Sequence, residues 1–251
     1  MPQLIAAEFS KLFSTRLWLW LLLASTALVA LYVSLNIAFA DNAVTPPLDT
    51  APGQQTLFAI AAGARPLVAV LGAIAITTEF RHRTATATFL ATPHRGRVVI
   101  AKLAAYAIVG AAYAVACIAT VSAIVLPWLA TKGIDVSLTG NGIPRTLLGV
   151  AAAYIAYAVI GVALGALVRD QVATVVGLLI YLFVVEPVIT NIPALDAWTL
   201  YLPGPAGNAL TQISLTTQDF LSPWQGGLVL VAYATALAVG GTLLAVSRDV
   251  T

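Results

Sequence analysis

Charged side chains are scarce in this sequence. Asp, Glu, Lys and Arg make up 9% of its 251 residues, whereas hydrophobic residues make up 60%. Soluble proteins contain about a quarter charged and about half apolar residues, so this composition excludes an ordinary soluble domain. The mean hydropathy of +0.95 predicts instead an all-α, polytopic membrane protein.

Other scarce residue types exclude particular kinds of site. The single cysteine, Cys117, cannot form an intrachain disulfide. None of the three lysines stands in the Gly-x-x-x-x-Gly-Lys-Ser/Thr frame of a phosphate-binding loop, so we expect ATP to be used only by another chain. The two histidines, His82 and His94, lack further ligands for a metal. The net charge of +2 gives no indication of a nucleic-acid partner.

Six apolar runs are long enough to cross a bilayer as helices, which takes roughly 20 residues. The predicted spans lie at about 17–40, 57–78, 98–129, 145–168, 171–190 and 225–246, within a single transmembrane domain of residues 1–251. The third run exceeds the length of a crossing, so it either tilts or ends near Pro127. Residues 1–16 place apolar side chains at helical spacing, which predicts an interfacial helix with basic groups near lipid phosphates.

The segments between these runs differ in character. Residues 41–56 and 130–144 are rich in turn-forming residues and are predicted as loops. Residues 191–224 contain four prolines, which we expect to break any regular helix, but several large apolar side chains as well. This connector is therefore predicted to form short extracellular or re-entrant pieces at the outer membrane surface. Only Arg169-Asp170 separates the fourth and fifth runs, which indicates a tight hairpin.

The distribution of Lys and Arg predicts the orientation. Nine lie on the side that holds the N-terminus, residues 79–97, Arg169 and the C-terminus, and three lie on the other side. Because excess Lys and Arg remain cytoplasmic, both termini are predicted in the cytoplasm.

Polar and small residues within the runs are further candidates. Glu186 is an ionisable residue within a span, a functional candidate by default, unless it simply reaches the outer interface. Arg65 either pairs with Glu186 or caps a kink at the following proline. Gly161 and Gly165, four residues apart, give the fourth run a small face that permits close helix approach. We find neither a carboxylate pair nor a Ser–His arrangement that would indicate intramembrane catalysis.

Residues 79–97, EFRHRTATATFLATPHRGR, carry the strongest signal, because both histidines and four of the nine arginines fall there. Phe89 adds apolar bulk to this cytoplasmic segment, which indicates docking onto a partner, although an ordinary positive-inside loop is the alternative. A helix continuing from the second run should stop before Pro93. Arg95, Arg97 and Lys102 then lead into the third run at the level of the lipid phosphates.

This segment resembles the membrane subunits of type-2 ATP-binding-cassette (ABC) exporters. That family closes its second span with Glu-Phe or Glu-Tyr, followed by an Arg-rich turn, a Thr, a Pro-x-Arg-type element and a lysine. The corresponding residues here are Glu79, Phe80, Arg81, Thr84, Pro93, Arg95 and Lys102. Arg83 stands where many members have glycine. Residues 8–12 followed by Trp18 are similar to the interfacial helix of the family, and residues 202–203 to its outer region.

The resemblance implies a permease of the bacterial cell membrane. Two membrane subunits, identical or different, would pair within the lipid, and a separate ATPase would dock beneath each, with no cofactor on this chain. The implied ATPase-coupling segment comprises Glu79, Phe80, Arg81, Arg83, Thr84, Phe89, Pro93 and Arg95. The family exports drugs, lipids, polysaccharides and peptides, and the apolar spans hint at amphipathic cargo. The alternatives are an intramembrane enzyme acting on lipid or peptide, and an anchor or immunity protein without transport.

Overall fold

The computed structural model describes residues 2–40, 46–81, 95–211 and 221–247, including their side chains except those of 95–98 and 242–247. All the regular secondary structure of these residues is helical. Six of the helices are long and apolar enough to cross a membrane. The prediction of an all-α polytopic membrane protein with six spans is therefore confirmed.

An N-terminal helix, Pro2–Phe13, precedes the six spans. The first to sixth spans are Leu17–Ala38, Ala51–Arg81, Arg95–Thr131, Ile143–Val168, Gln171–Thr190 and Pro223–Ser247. A 3₁₀ turn, Ile60–Ala64, interrupts the second span, and a π turn, Tyr181–Val185, interrupts the fifth. The connector between the fifth and sixth spans contains the short helical pieces Pro193–Leu195, Asp196–Thr199 and Pro203–Thr211.

The second span begins earlier than the sequence predicted. Residues 51–56 are helical rather than part of a loop. The hydroxyl of Thr50 accepts a hydrogen bond from the Gly53 N–H at 3.2 Å and caps the helix. Pro52 lies in the first turn, where the missing N–H removes no helical hydrogen bond. The turn-forming residues at 50–53 therefore start a helix.

The third span does not end near Pro127 but continues to Thr131. A proline within a helix removes one backbone hydrogen bond and crowds the preceding turn. Only four residues follow Pro127 in this helix, so any bend that the proline causes moves only the last turn.

Prolines also begin a helix in the connector between the fifth and sixth spans. Pro203 and Pro205 lie in the first turn of the Pro203–Thr211 helix, which packs against the fourth and sixth spans. The expectation that these prolines break any regular helix is wrong, because proline is compatible with the first turn.

The second and fourth spans cross at the centre of the bundle, in contact along glycine-rich faces. A Cβ at Gly161 would lie 2.0 Å from the carbonyl oxygen of Ala69. A Cβ at Gly72 would lie 2.5 Å from the carbonyl oxygen of Ala158. Gly165 faces the next turn of the second span. Each helix therefore presents glycine to the backbone of the other, and the two pack closely enough to act as one unit.

We predict that Gly161→Ala lowers the free energy of unfolding by about 2 kcal/mol or more, since a methyl group facing backbone requires the helices to separate. Thermal unfolding of the purified protein in detergent would measure the loss. Gly177→Ala is the matched control, because Gly177 has no heavy atom within 4 Å of a built Cβ. That substitution should leave the midpoint unchanged or raise it slightly, and equal losses in the two variants would contradict the assigned packing.

Candidate functional site

Four charged side chains from three helices meet where the second span ends and the third begins. Lys102 Nζ donates to Glu79 Oε1 at 3.0 Å and to Glu8 Oε2. Lys11 Nζ donates to Glu79 Oε1 at 2.7 Å and to Glu8 Oε1 at 2.8 Å. We call Glu8, Lys11, Glu79 and Lys102 the ion-pair network. Each ammonium contacts both carboxylates, so the formal charges of the four residues cancel.

Burial makes the members of the ion-pair network depend on one another. Lys102 is only 2% exposed and Glu8 only 5%, and a buried charge is costly unless an opposite charge compensates it. Lys11 is half exposed. Burial lowers the pKa of Lys11, but its hydrogen bonds to Glu79 and Glu8 outweigh burial and place the pKa above its ordinary value. Its contribution therefore persists at neutral pH and is lost only as the pH rises through that raised pKa.

The ion-pair network fixes the N-terminal helix to both of the helices that flank residues 82–94. Glu79 lies two residues before the end of the second span, and Lys102 lies seven residues after the start of the third. Glu8 and Lys11 lie on one face of the N-terminal helix and contact both. The helices on both sides of residues 82–94 are thus held by ion pairs to the same N-terminal helix.

The structure places only some of the predicted coupling residues. Glu79 belongs to the ion-pair network, and Arg81 is exposed at the end of the second span. Phe80 is half-buried, with its ring centre 5.6 Å from the guanidinium carbon of Arg169. Arg95 is the first residue of the third span. Outside the described residues lie Arg83, Thr84, Phe89 and Pro93, together with the side chain of Arg95.

The sequence interpretation missed the ion-pair network as such. It placed Lys11 and Lys102 at the level of the lipid phosphates, which stays a prediction, but it did not foresee that both ammoniums contact Glu8 and Glu79. One signal was available. Two lysines and two glutamates fall at the same predicted end of the membrane in a chain with very few charges, and opposite charges at one depth tend to pair.

A second polar cluster lies deeper within the bundle. Arg65 Nη2 donates to the Asn208 side-chain oxygen at 2.7 Å and to the Gly204 carbonyl oxygen at 3.2 Å. Glu186 Oε1 accepts from the Gly204 N–H at 2.6 Å. The Tyr157 hydroxyl donates to the carbonyl oxygen of the residue before Gly204 at 2.9 Å, and the Arg65 guanidinium lies 5.0 Å from the Tyr157 ring centre. We call Arg65, Tyr157, Glu186, Gly204 and Asn208 the polar clamp.

The polar clamp answers how Arg65 and Glu186 are related. Both side chains are buried, 9% and 4% exposed, and no direct ion pair joins these two described residues. They meet instead through Gly204, whose carbonyl oxygen accepts from Arg65 and whose N–H donates to Glu186. The carboxylate thus satisfies an N–H group in the first turn of the Pro203–Thr211 helix, where the helix dipole favours negative charge.

Comparison with known proteins leaves the family open, since neither the family models nor the curated proteins match this chain. Among the described side chains there is also no group of three or more His, Cys, Asp or Glu residues that could hold a metal ion. Function must therefore be inferred from the ion-pair network, the polar clamp and the bundle that holds them.

We predict that Lys102→Met lowers the free energy of unfolding by about 3 kcal/mol. The buried carboxylate of Glu8 would lose its buried partner and keep only the half-exposed ammonium of Lys11. Adding Glu8→Gln to this variant removes the uncompensated carboxylate. The double variant should therefore lose at least about 1 kcal/mol less stability than the sum of the losses in the two single variants. Thermal unfolding of both single variants and the double variant completes the cycle. The exposed Lys132→Met is the control and should change little. Strict additivity would show that Lys102 and Glu8 are not coupled.

We also predict that Gly204→Ala loosens the polar clamp. The added Cβ would lie within 2.9 Å of all three atoms of the Glu186 carboxyl group, and its displacement would break the hydrogen bond to the Gly204 N–H. The expected cost is about 1–3 kcal/mol for an unsatisfied buried group, seen as a lower unfolding midpoint and faster proteolysis between the fifth and sixth spans. Gly227→Ala is the control, since its nearest atom is 3.6 Å away. Equal behaviour of the two variants would contradict this role of Glu186.

Proposed function

We propose that this chain is the membrane-spanning permease subunit of a type-2 ABC exporter, driven by ATP hydrolysis on a separate ATPase chain. The observation that carries the proposal is the ion-pair network. It joins the two helices that flank residues 82–94 to each other and to the N-terminal helix. The resemblance of residues 79–97 to a coupling segment supplies the class of partner. The chain itself is proposed to have no enzymatic activity.

Force transmission requires a rigid connection between the docking surface and the membrane helices. Glu79 and Lys102 contact each other at 3.0 Å, and both contact the N-terminal helix. A push on residues 82–94 would therefore be delivered to the second span, the third span and the N-terminal helix together. Without these contacts, a connector between two independent helix ends would yield locally.

Charge supports the side on which the ATPase docks. Arg81 is exposed at the end of the second span, and Arg83, Arg95 and Arg97 follow closely in the sequence. Such a concentration of arginine favours the cytoplasmic side, where ATP is available. The proposed location is the bacterial cell membrane with both termini in the cytoplasm.

The exposed apolar surface supports a second permease subunit. The first, fifth and sixth spans are buried over a small part of their length, whereas the second and fourth are mostly buried. Lipid and a second subunit, identical or different, would share that surface, and two ATPases would complete the complex. The cargo would pass between the two permease subunits.

We predict that affinity purification of the tagged protein from its native membrane recovers an ATPase in stoichiometric amount, identified by mass spectrometry. The double variant Arg81→Glu/Arg83→Glu should reduce the recovered ATPase at least about tenfold, because reversed charges at a docking surface oppose its partner.

The matched control is Lys132→Glu/Arg145→Glu, which reverses two exposed charges at the opposite end of the bundle. This variant should retain the ATPase. The proposal fails if gentle extraction with cross-linking recovers no ATPase, or if both double variants lose it equally.

A further inference from the structure

A cavity of about 340 Å³ opens beside the polar clamp. The lining side chains come from the first, second, fourth and fifth spans and from the Pro203–Thr211 helix, and include Tyr32, Asn36, Arg65, Phe183, Glu186 and Asn208. Tyr32 is 48% exposed and Phe183 is 64% exposed, so the cavity meets the outer surface of the bundle between the first and fifth spans. Where no second permease subunit covers it, that surface faces lipid when the six spans cross a membrane.

The cavity lies near one end of the hydrocarbon layer. Asn36 comes nineteen residues after the start of the first span and Glu186 fifteen after the start of the fifth, about 28 Å and 22 Å along α-helices. Both spans start at the end of the bundle that holds the ion-pair network. Since the hydrocarbon layer is roughly 30 Å thick, Asn36 lies close to its boundary in the opposite leaflet and Glu186 lies roughly 8 Å inside it, so a headgroup of that leaflet would enter the layer to reach Glu186.

Two charged groups at this cavity have unused hydrogen-bonding capacity. Arg65 makes its hydrogen bonds through Nη2, and its Nε is buried without a partner. Glu186 accepts its hydrogen bond through Oε1, so Oε2 is left without one among the described residues. A guanidinium and a carboxylate therefore line one cavity without pairing directly, so its wall carries both a positive and a negative charge.

We infer that this cavity binds the headgroup of a zwitterionic phospholipid with a primary ammonium, of the phosphoethanolamine type. The phosphate would accept hydrogen bonds from Arg65, and the ammonium would donate to Glu186, while the acyl chains leave past Tyr32 and Phe183. The volume would hold about ten waters, enough for such a headgroup. The inference does not depend on the proposed ATP-driven export.

The charges of the cavity discriminate among lipid headgroups. A glycerol headgroup offers its phosphate to Arg65 but has neutral hydroxyls in place of the ammonium, so the charge of Glu186 stays uncompensated. A choline headgroup carries the positive charge but has no N–H to donate. The ethanolamine headgroup matches both side chains, because its phosphate carries the charge opposite to that of Arg65 and its ammonium can donate to the Glu186 carboxylate.

Native mass spectrometry tests the inference. The purified protein, in detergent with equal amounts of phosphatidylethanolamine, phosphatidylcholine and phosphatidylglycerol of the same acyl chains, should retain the ethanolamine lipid in excess. Gly63→Leu should reduce that excess about tenfold, since it fills the cavity from a position with no heavy atom within 4 Å of a built Cβ. Gly177→Leu, an equally open glycine outside this cavity, should retain it.

Glu186→Gln keeps an oxygen that can accept from Gly204 but removes the charge. The preference for ethanolamine over choline should fall about tenfold, the factor that one charge-assisted hydrogen bond provides. Unfolding midpoints measured in parallel show that each variant remains folded. Equal retention of the three lipids, a preference for glycerol, or a preference that survives both Gly63→Leu and Glu186→Gln would overturn the inference.

Discussion

The cost of burying charge among apolar helices governs this structure. Lys102 lies almost fully buried in the third span, and it is tolerable there because Glu8 and Glu79 both accept from its ammonium. That requirement, together with the burial of Leu12 in the apolar core, holds the N-terminal helix at the end of the second span. A buried charge requires an opposite charge as its partner, whereas an apolar side chain packs against many neighbours. If the whole network were replaced by apolar side chains, nothing would require these particular residues to meet. The position of the N-terminal helix therefore depends on charge pairing.

The same constraint explains the polar clamp. In the first turn of the Pro203–Thr211 helix, Pro203 and Pro205 have no N–H group and the Ala206 N–H donates to the Leu202 carbonyl oxygen. The Gly204 N–H has no such partner within its own helix, and against an apolar bundle it needs one from another helix. Glu186 accepts from Gly204 N–H, and Arg65 donates to the Gly204 carbonyl oxygen. A Cβ at this position would meet the Glu186 carboxyl group, so a larger residue than glycine would displace that side chain.

The number, type and approximate bounds of the spans followed from the sequence, because apolar runs of this length are rarely anything but membrane helices. The helices that begin at residues 51 and 203 were not predicted, because proline and glycine are common both in loops and in the first turn of a helix. The ion-pair network was not predicted because Glu8 and Lys102 are ninety-four residues apart, and only three-dimensional packing brings them together. The sequence singled out Arg65 and Glu186 as ionisable residues within spans. It did not show that the backbone groups of Gly204 link them.

The two polar clusters lie on one helical framework, which bears on how the proposed exporter would work. Glu79 and Arg65 are both in the second span, fourteen residues or about 21 Å apart along the helix. The glycine contacts at Gly72 and Gly161 hold this span against the fourth, which carries Tyr157 of the polar clamp. In the proposed exporter, a displacement imposed at Glu79 would therefore reach Arg65 and Tyr157 together. Because the fifth span supplies Glu186 and is less tightly packed, relative movement would arise between the two sides of the cavity.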